Sequence, residues 1–272
     1  MRPVFVAFIS QKIKKEFEEL QKGKFEDKKL YKSISRAIED LKVLESSGVD
    51  GIVVENNYDL PHKINVEPET IALIGYILCE IKKISKVPLG LSILWNDYKT
   101  ALSLSKIYDC EFIRVPVFVD HVRTLFGDIR GEAEKVIEYR KKIGAEKVKI
   151  YTDIQVKHAE LLNKRPLKES AKEAIEKGAD GLIITGKWTS DAPNLDDLKE
   201  VKKISKKIPI IIGSGADKDN ITKLLKYADK VIVSTSLKEG LPIDKNKERN
   251  IKPYISKIDK NKVREFILKV KN

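Results

Sequence analysis

Residues 176–186 read EKGADGLIITG, and this stretch decides the fold. It runs from the end of a charged helix, through Gly178 and a turn, into an apolar run of strand type. Glycine suits the place after a helix because that residue often needs a positive φ. Similar phrases stand at 46–56, SSGVDGIVVEN, and at 142–153, KIGAEKVKIYTD, with Gly48 and Gly144 in the matching position. One unit of helix, turn and strand therefore recurs along the chain.

Outward from these three units, β-branched runs recur at 4–9, 51–55, 89–94, 112–117, 147–152, 181–185, 208–212 and 230–234. Each is nearly continuous in apolar residues, as parallel strands buried on both faces must be. Amphipathic patterns predict helices at 33–46, 68–84, 100–107, 132–143, 167–176, 195–204, 220–225 and 263–270. The first of these puts Ile34, Ala37, Ile38, Leu41 and Leu44 on one face. Strands joined by right-handed crossovers close most simply into a barrel. The expected fold is therefore α/β, a (β/α)8 TIM barrel, with residues 1–272 as a single domain. A doubly wound open sheet is the alternative. The length of 272 residues matches one barrel and can bury a large core without disulfides or metals. Long segments at 10–30 and 118–131 follow the first and fourth strands and are expected to act as lids. The stretch 239–259 reads as polar and irregular.

The charge is high and positive, with 53 Lys and Arg against 41 Asp and Glu, a net charge of +12. The lysines are spread along successive helices, so most of the charge reads as solvated helix face. No nucleic-acid partner is expected, while an acidic or phosphorylated ligand fits. Abundant Lys and Glu with a single Met resembles the composition of proteins from hot habitats. Cys79 and Cys110 have no metal-binding spacing and read as buried thiols in a reducing compartment. No apolar run reaches about 18 residues, so no transmembrane segment is expected. A cytoplasmic location follows, and a homo-oligomer stays open.

In a barrel, chemistry sits where strands end and the following loops begin. The second strand ends at Glu55, Asn56 and, further on, Asp59. The third ends at Asn96 and Asp97. Arg114 lies inside the fourth and is costly to bury alone, so it should pair with Glu55 or Asp153. That pair is either a feature of the pocket or a structural ion pair. The fifth strand leads into Asp153, Lys157 and His158, a cluster able to move protons. Its lysine could equally be a phosphate ligand or a Schiff-base former, and its histidine a loop hydrogen-bonding group. The sixth ends at Thr185. The seventh ends in Gly213, Ser214 and Gly215, and the eighth in Ser234, Thr235 and Ser236. Glycines let backbone amides approach an anion, and the hydroxyls add donors, so a phosphate is expected there. Two ordinary turns are the alternative. No cofactor is evident. A divalent metal is left open, conditional on Glu55, Asp97, Asp153 and His158 converging.

At these residues the chain resembles the BtpA family. The matching pieces include GVDGIVVENNYDLP (48–61), PLGLSILWND (88–97), EFIRVPVF (111–118), TDIQVKHA (152–159), IIIGSGADKDNI (210–221) and ADKVIVSTSLK (228–238). They run in order over about 49–238. The resemblance implies a barrel of the ribulose-phosphate-binding kind, which supports the phosphate site. It carries over Glu55, Asn56, Asp59, Asn96, Asp97, Arg114, Asp153, Lys157 and His158 as family positions. One departure stands out. Many relatives have a loop of the form HLxPLPGSP after the first strand, and here residues 8–23 read FISQKIKKEFEELQKG.

The expected activity is that of an enzyme on a phosphorylated sugar or nucleoside-type small molecule. Isomerase, lyase and glycosidic-cleavage chemistry are all open. Glu55, Asp153, Lys157 and His158 would be catalytic. Asn56, Asp59, Asn96, Asp97, Arg114 and Thr185 would bind the substrate. The alternative is a non-catalytic assembly or regulatory factor, as the family's photosystem I biogenesis namesake implies.

Overall fold

The computed structural model describes residues 4–9, 28–57, 59, 61–240 and 256–271, with side chains from residue 34 onward. The chain opens with strand β1 (Val4–Ile9), helix α1 (Lys28–Ser46), β2 (Gly51–Glu55), α2 (Pro68–Ile84), β3 (Leu89–Ser92), α3 (Tyr98–Ile107) and β4 (Phe112–Val115). After β5 (His121–Thr124) and β6 (Gly127–Arg130) come α4 (Ala133–Lys142), β7 (Lys149–Ile154), β8 (Glu160–Leu161) and α5 (Leu167–Glu176). Then follow β9 (Gly181–Ile184), α6 (Leu195–Ile204), β10 (Ile210–Ile212), α7 (Ile221–Leu224), β11 (Lys230–Val233), a 3₁₀ turn (Thr235–Leu237) and α8 (Lys260–Lys271).

Strands β1, β2, β3, β4, β7, β9, β10 and β11 pair in that order, all parallel, and β11 returns to β1 to close the barrel. The expected TIM barrel is therefore present and the open sheet is excluded. Strand ends differ from expectation by a few residues. Ile93, Leu94, Pro116 and Val117 continue the apolar runs beyond the ladder. The segment expected as a lid at 10–30 contributes residues 28–30 to α1, and 10–27 lie outside the described residues. Of the irregular stretch 239–259, residues 241–255 lie outside them as well.

The second expected lid, 118–131, has regular structure. It forms the antiparallel hairpin β5–β6, and β8 adds a third strand beside β5. This small sheet has its own apolar cluster of Trp95, Val117, Val122, Ile129 and Val156.

Two cores hold the barrel. The larger lies between strands and helices, where residues such as Leu44, Leu78, Val136 and Val201 are fully buried. Each such aliphatic side chain contributes about 1.5–3 kcal/mol by leaving water. The smaller fills the barrel itself with one residue from each of six strands: Val53, Phe112, Tyr151, Ile183, Ile211 and Ile232. On β3 the neighbouring position is Gly90, where a Cβ would stand 2.2 Å from the Phe112 ring. Glycine there makes room for the ring, which lies 4.7 Å from the Tyr151 ring.

Candidate functional site

Strand side chains alternate, so residues two apart face the same way. Two steps beyond the six residues of the barrel plug stand Glu55, Arg114, Asp153, Thr185, Gly213 and Ser234. On β3 the step from Gly90 leads to Ser92. The pleat thus sets a polar layer on top of an apolar floor, at the C-terminal mouth of the barrel. A cavity of about 1250 Å³ opens above it.

Arg114 is the centre of that layer. Its Nε donates to Asp153 Oδ1 at 2.8 Å and its Nη2 to Oδ2 at 2.7 Å, while Nη1 reaches Glu55 Oε2 at 3.5 Å. All three residues are buried. Burial opposes the guanidinium charge, but the two carboxylates outweigh it and hold its pKa above the ordinary value. Arg114 thus pairs with both acids named for it. Three hydroxyls of the layer, on Ser92, Thr185 and Ser234, are buried without a hydrogen-bond partner among the described residues.

Lys157 follows β7 and is partly buried in the cavity wall. Its amine makes no hydrogen bond or ion pair among the described residues. Burial, helped by the Arg114 charge, lowers its pKa to about 8 against the pull of Glu55 and Asp153. His158 has a left-handed backbone, with φ of 61°. Its Nε2 lies 2.8 Å from Thr189 Oγ1, and its ring leans on Trp188 with centroids 5.5 Å apart. Burial and the nearby Lys157 and Arg114 charges lower its pKa to about 3. The ring is thereby a weaker base than an ordinary imidazole.

The wall after β10 and β11 brings Gly213, Ser214, Gly215, Ser234, Thr235 and Ser236 to the cavity together, as expected. Several of their groups are already engaged. The Gly213 amide donates to Ile184 O at 2.9 Å. Ser214 Oγ accepts from the Gly186 amide and donates to Asp191 O. Ser236 Oγ donates to Ala216 O at 2.7 Å. Gly215, at φ of 62°, lies against the 191–192 backbone. The amides of Gly215 and Ala216 donate to no acceptor among the described residues.

Six residues named from the sequence do not line the cavity. Asn56 and Asn96 clamp the backbone instead. Asn56 exchanges two hydrogen bonds with Leu94, and Asn96 does the same with Val117. Asp97 caps α3 by accepting from the Thr100 amide and hydroxyl, and it also accepts from the Val66 amide. Asp59 accepts from the Thr70 hydroxyl at 3.3 Å. Asp153 is sealed behind Arg114. The Thr185 methyl packs where a Cβ on Gly213 would point. Glu55, Asp97, Asp153 and His158 therefore do not converge. Among the described residues, no three His, Cys, Asp or Glu side chains are placed to hold a metal.

Other lining residues had no prior assignment. Trp95 and Trp188 give the cavity aromatic faces, and the hairpin contributes Arg123 through Phe126. His62 packs edge-on against Phe126, with centroids 5.2 Å apart. Lys238 is 4% exposed and, desolvated, has its pKa lowered to about 8. Lys262 donates to Lys238 O at 2.7 Å. Lys238 follows the STS run by two residues. Basic side chains (Arg114, Arg123, Lys157, Lys187, Lys238, Lys262) and acidic ones (Glu55, Glu160, Asp217, Asp219) both line the cavity, and of the basic ones Arg114 and Arg123 are already paired with Asp153 and Asp128.

Among the described residues no helix is long and apolar enough to cross a membrane. In overall shape the chain is similar to N-(5'-phosphoribosyl)anthranilate isomerase from Pyrococcus furiosus, with a TM-score of 0.55, 14% identity and complete coverage of both chains. It is also similar to (S)-3-O-geranylgeranylglyceryl phosphate synthase from Thermoplasma acidophilum, solved with sn-glycerol-1-phosphate, with a TM-score of 0.59, 12% identity and coverage of 99% and 93%. At such identities these likenesses speak for the barrel alone. In sequence, the photosystem I biogenesis protein BtpA of Synechocystis sp. is 38% identical over 207 residues, 75% of this chain and 72% of that one. The model of the BtpA family matches residues 20–272, and with that match the chain belongs to the BtpA family.

Proposed function

We propose that this barrel is an enzyme acting on a phosphorylated sugar or nucleoside-type small molecule. One observation carries the reading. Lys157, which makes no hydrogen bond or ion pair among the described residues, presents a desolvated amine to the same cavity that Gly213–Gly215 and Ser234–Ser236 enter from β10 and β11. A phosphate would lie against the amides of Gly215 and Ala216 and the hydroxyls of Ser234 and Thr235, with Lys238 supplying charge. Anchoring there would orient the reacting part of the ligand toward Lys157 and Glu55. Asp153, sealed by Arg114, would position that guanidinium rather than carry protons. Isomerisation, lyase chemistry and glycosidic cleavage each use a proton-moving group beside the anchored substrate, and Lys157 with Glu55 meets that need. Barrels of similar shape include proteins named for phosphorylated compounds, which supports this assignment.

Thermal shift with ribose 5-phosphate, ribose and sulfate tests it. Ribose 5-phosphate and sulfate should raise the melting temperature, and ribose alone should not. Sulfate keeps its charge across the range, so its affinity should fall as pH rises through about 8, where Lys157 and Lys238 lose their protons. No stabilisation by any sugar phosphate would overturn the reading. A second reading, a non-catalytic assembly factor, is favoured by the name of the cyanobacterial relative. It requires that Lys157→Met leave cellular function intact.

A further inference from the structure

We infer that Lys157 is a nucleophile that condenses with the carbonyl of a phosphorylated ketone or aldehyde held in this cavity. The inference deepens the phosphate-binding reading and rests on it.

The geometry is that of an amine kept as a base. Lys82 faces Asp109 and Lys202 faces Asp229 in ion pairs. Lys157 has no such partner among the described residues, although Glu55 lines the same cavity. The strongest nearby cation, Arg114, is pinned by both acids and cannot move away. The turn that presents Lys157 holds two non-glycine residues in the left-handed region, Gln155 at φ of 51° and His158 at 61°. Such strained backbone persists only where the surroundings hold it in place. Asp120 does so from outside the barrel by accepting from the Gln155 amide at 3.0 Å. With a pKa of about 8, the amine at pH 7 carries roughly 200- to 300-fold more free base than an ordinary lysine.

The step balances without any further reactant. The Nζ lone pair attacks the carbonyl carbon, a C–N bond forms, and the carbonyl π pair moves to oxygen, which takes a proton. Nitrogen then loses a proton, the hydroxyl takes a second proton and leaves as water as the C–O bond breaks and C=N forms, and the nitrogen gives up its remaining proton. One amine and one carbonyl give one imine and one water, with no change of oxidation state. Glu55, already acting electrostatically on the amine, is the carboxylate available to carry these protons. Once protonated, the imine draws electrons from the adjacent C–H or C–C bond, which serves isomerase and lyase chemistry alike.

The test treats the whole protein with dihydroxyacetone phosphate and sodium borohydride, then maps the reduced adducts by peptide mass. The expected result is an adduct on Lys157 at least roughly tenfold above that on any lysine of ordinary pKa, because labelling follows the free-base fraction, and also above that on Lys238, whose pKa is equally lowered but whose amine is assigned to the phosphate. Excess inorganic phosphate should suppress it. Calorimetry with the same compound, without borohydride, keeps the two ideas apart. Binding with no adduct on Lys157, or an adduct chiefly on Lys238, overturns the imine and leaves the phosphate site standing. Failure of both dihydroxyacetone phosphate and ribose 5-phosphate to bind overturns both. Lys157→Arg retains a positive charge but cannot form the imine, so it must keep phosphate binding and lose the adduct.

Discussion

Arg114 grips both carboxylate oxygens of Asp153 through two parallel hydrogen bonds, at 2.8 and 2.7 Å, inside a barrel that shields the pair from water. The fork geometry is what makes arginine rather than lysine suit this position. Replacing Asp153 with Asn leaves a buried guanidinium whose remaining acid, Glu55, stands 3.5 Å away. Removing one partner of a buried pair costs about 3–5 kcal/mol. Urea unfolding should show a loss of that order. A loss under about 1 kcal/mol would mean that the guanidinium can leave the layer.

Asn56 and Asn96 make the same device one strand apart. Each amide side chain takes one hydrogen bond from, and gives one to, a single backbone residue where the next strand runs out: Leu94 and Val117. Their truncation orphans a buried N–H and a C=O together. Asn56→Ala and Asn96→Ala should each destabilise by about 1–3 kcal/mol. Ligand affinity per folded molecule should stay unchanged, as measured by calorimetry on the folded fraction. A large loss of affinity at full stability would restore the substrate-orienting role first expected of them.

The barrel was legible because its strands are buried on both faces, which forces unbroken runs such as GIVV at 51–54 and III at 210–212. The strand ends were not legible. Ile93 and Val117 stay apolar past the ladder because other buried residues cover them. The hairpin β5–β6 was missed for a related reason. HVRT and GDIR carry weak strand patterns, and what stabilises them is packing on Trp95 and Val156, which are distant in sequence. In the site, an arginine within a strand announced its need for acids, so the ionic layer was foreseeable. An asparagine or aspartate at a strand end announces only a polar contact. Whether that contact is a ligand or a neighbouring backbone depends on loop paths that local pattern does not encode, as Asn56, Asn96 and Asp97 show.

Gly215 separates packing from anion binding. A Cβ there would lie 2.1 Å from Ala192 N and Asp191 C, and the residue sits at φ of 62°. Both the clash with backbone and the left-handed conformation penalise alanine. Gly215→Ala should cost about 2–4 kcal/mol and shift the 186–192 loop. Amide hydrogen exchange should then quicken at Gly186, whose N–H is held by Ser214 Oγ at 2.9 Å. Unchanged exchange and stability would leave phosphate contact as the only reason for glycine at this position.

His158 should shape the acid side of the stability curve. Its pKa falls from 6.5 in the unfolded chain to about 3 in the folded one, first through burial and then through the Lys157 and Arg114 charges. The unfolded chain therefore binds a proton near pH 6.5 that the folded chain refuses until about 3. Stability from this group is complete above 6.5 and is lost steadily as pH falls toward 3. His62, lowered to about 4 by burial, acts with the same sign, so its contribution persists when His158 is changed. His158→Gln can keep the hydrogen bond to Thr189 but has nothing to titrate. Melting temperature against pH should then fall less steeply for the variant between 6.5 and 4, with the two curves parallel above 7. Equal slopes on the acid side would mean that the folded ring takes its proton as readily as the unfolded one. The Lys157 and Arg114 charges would then not act on His158 as the geometry requires.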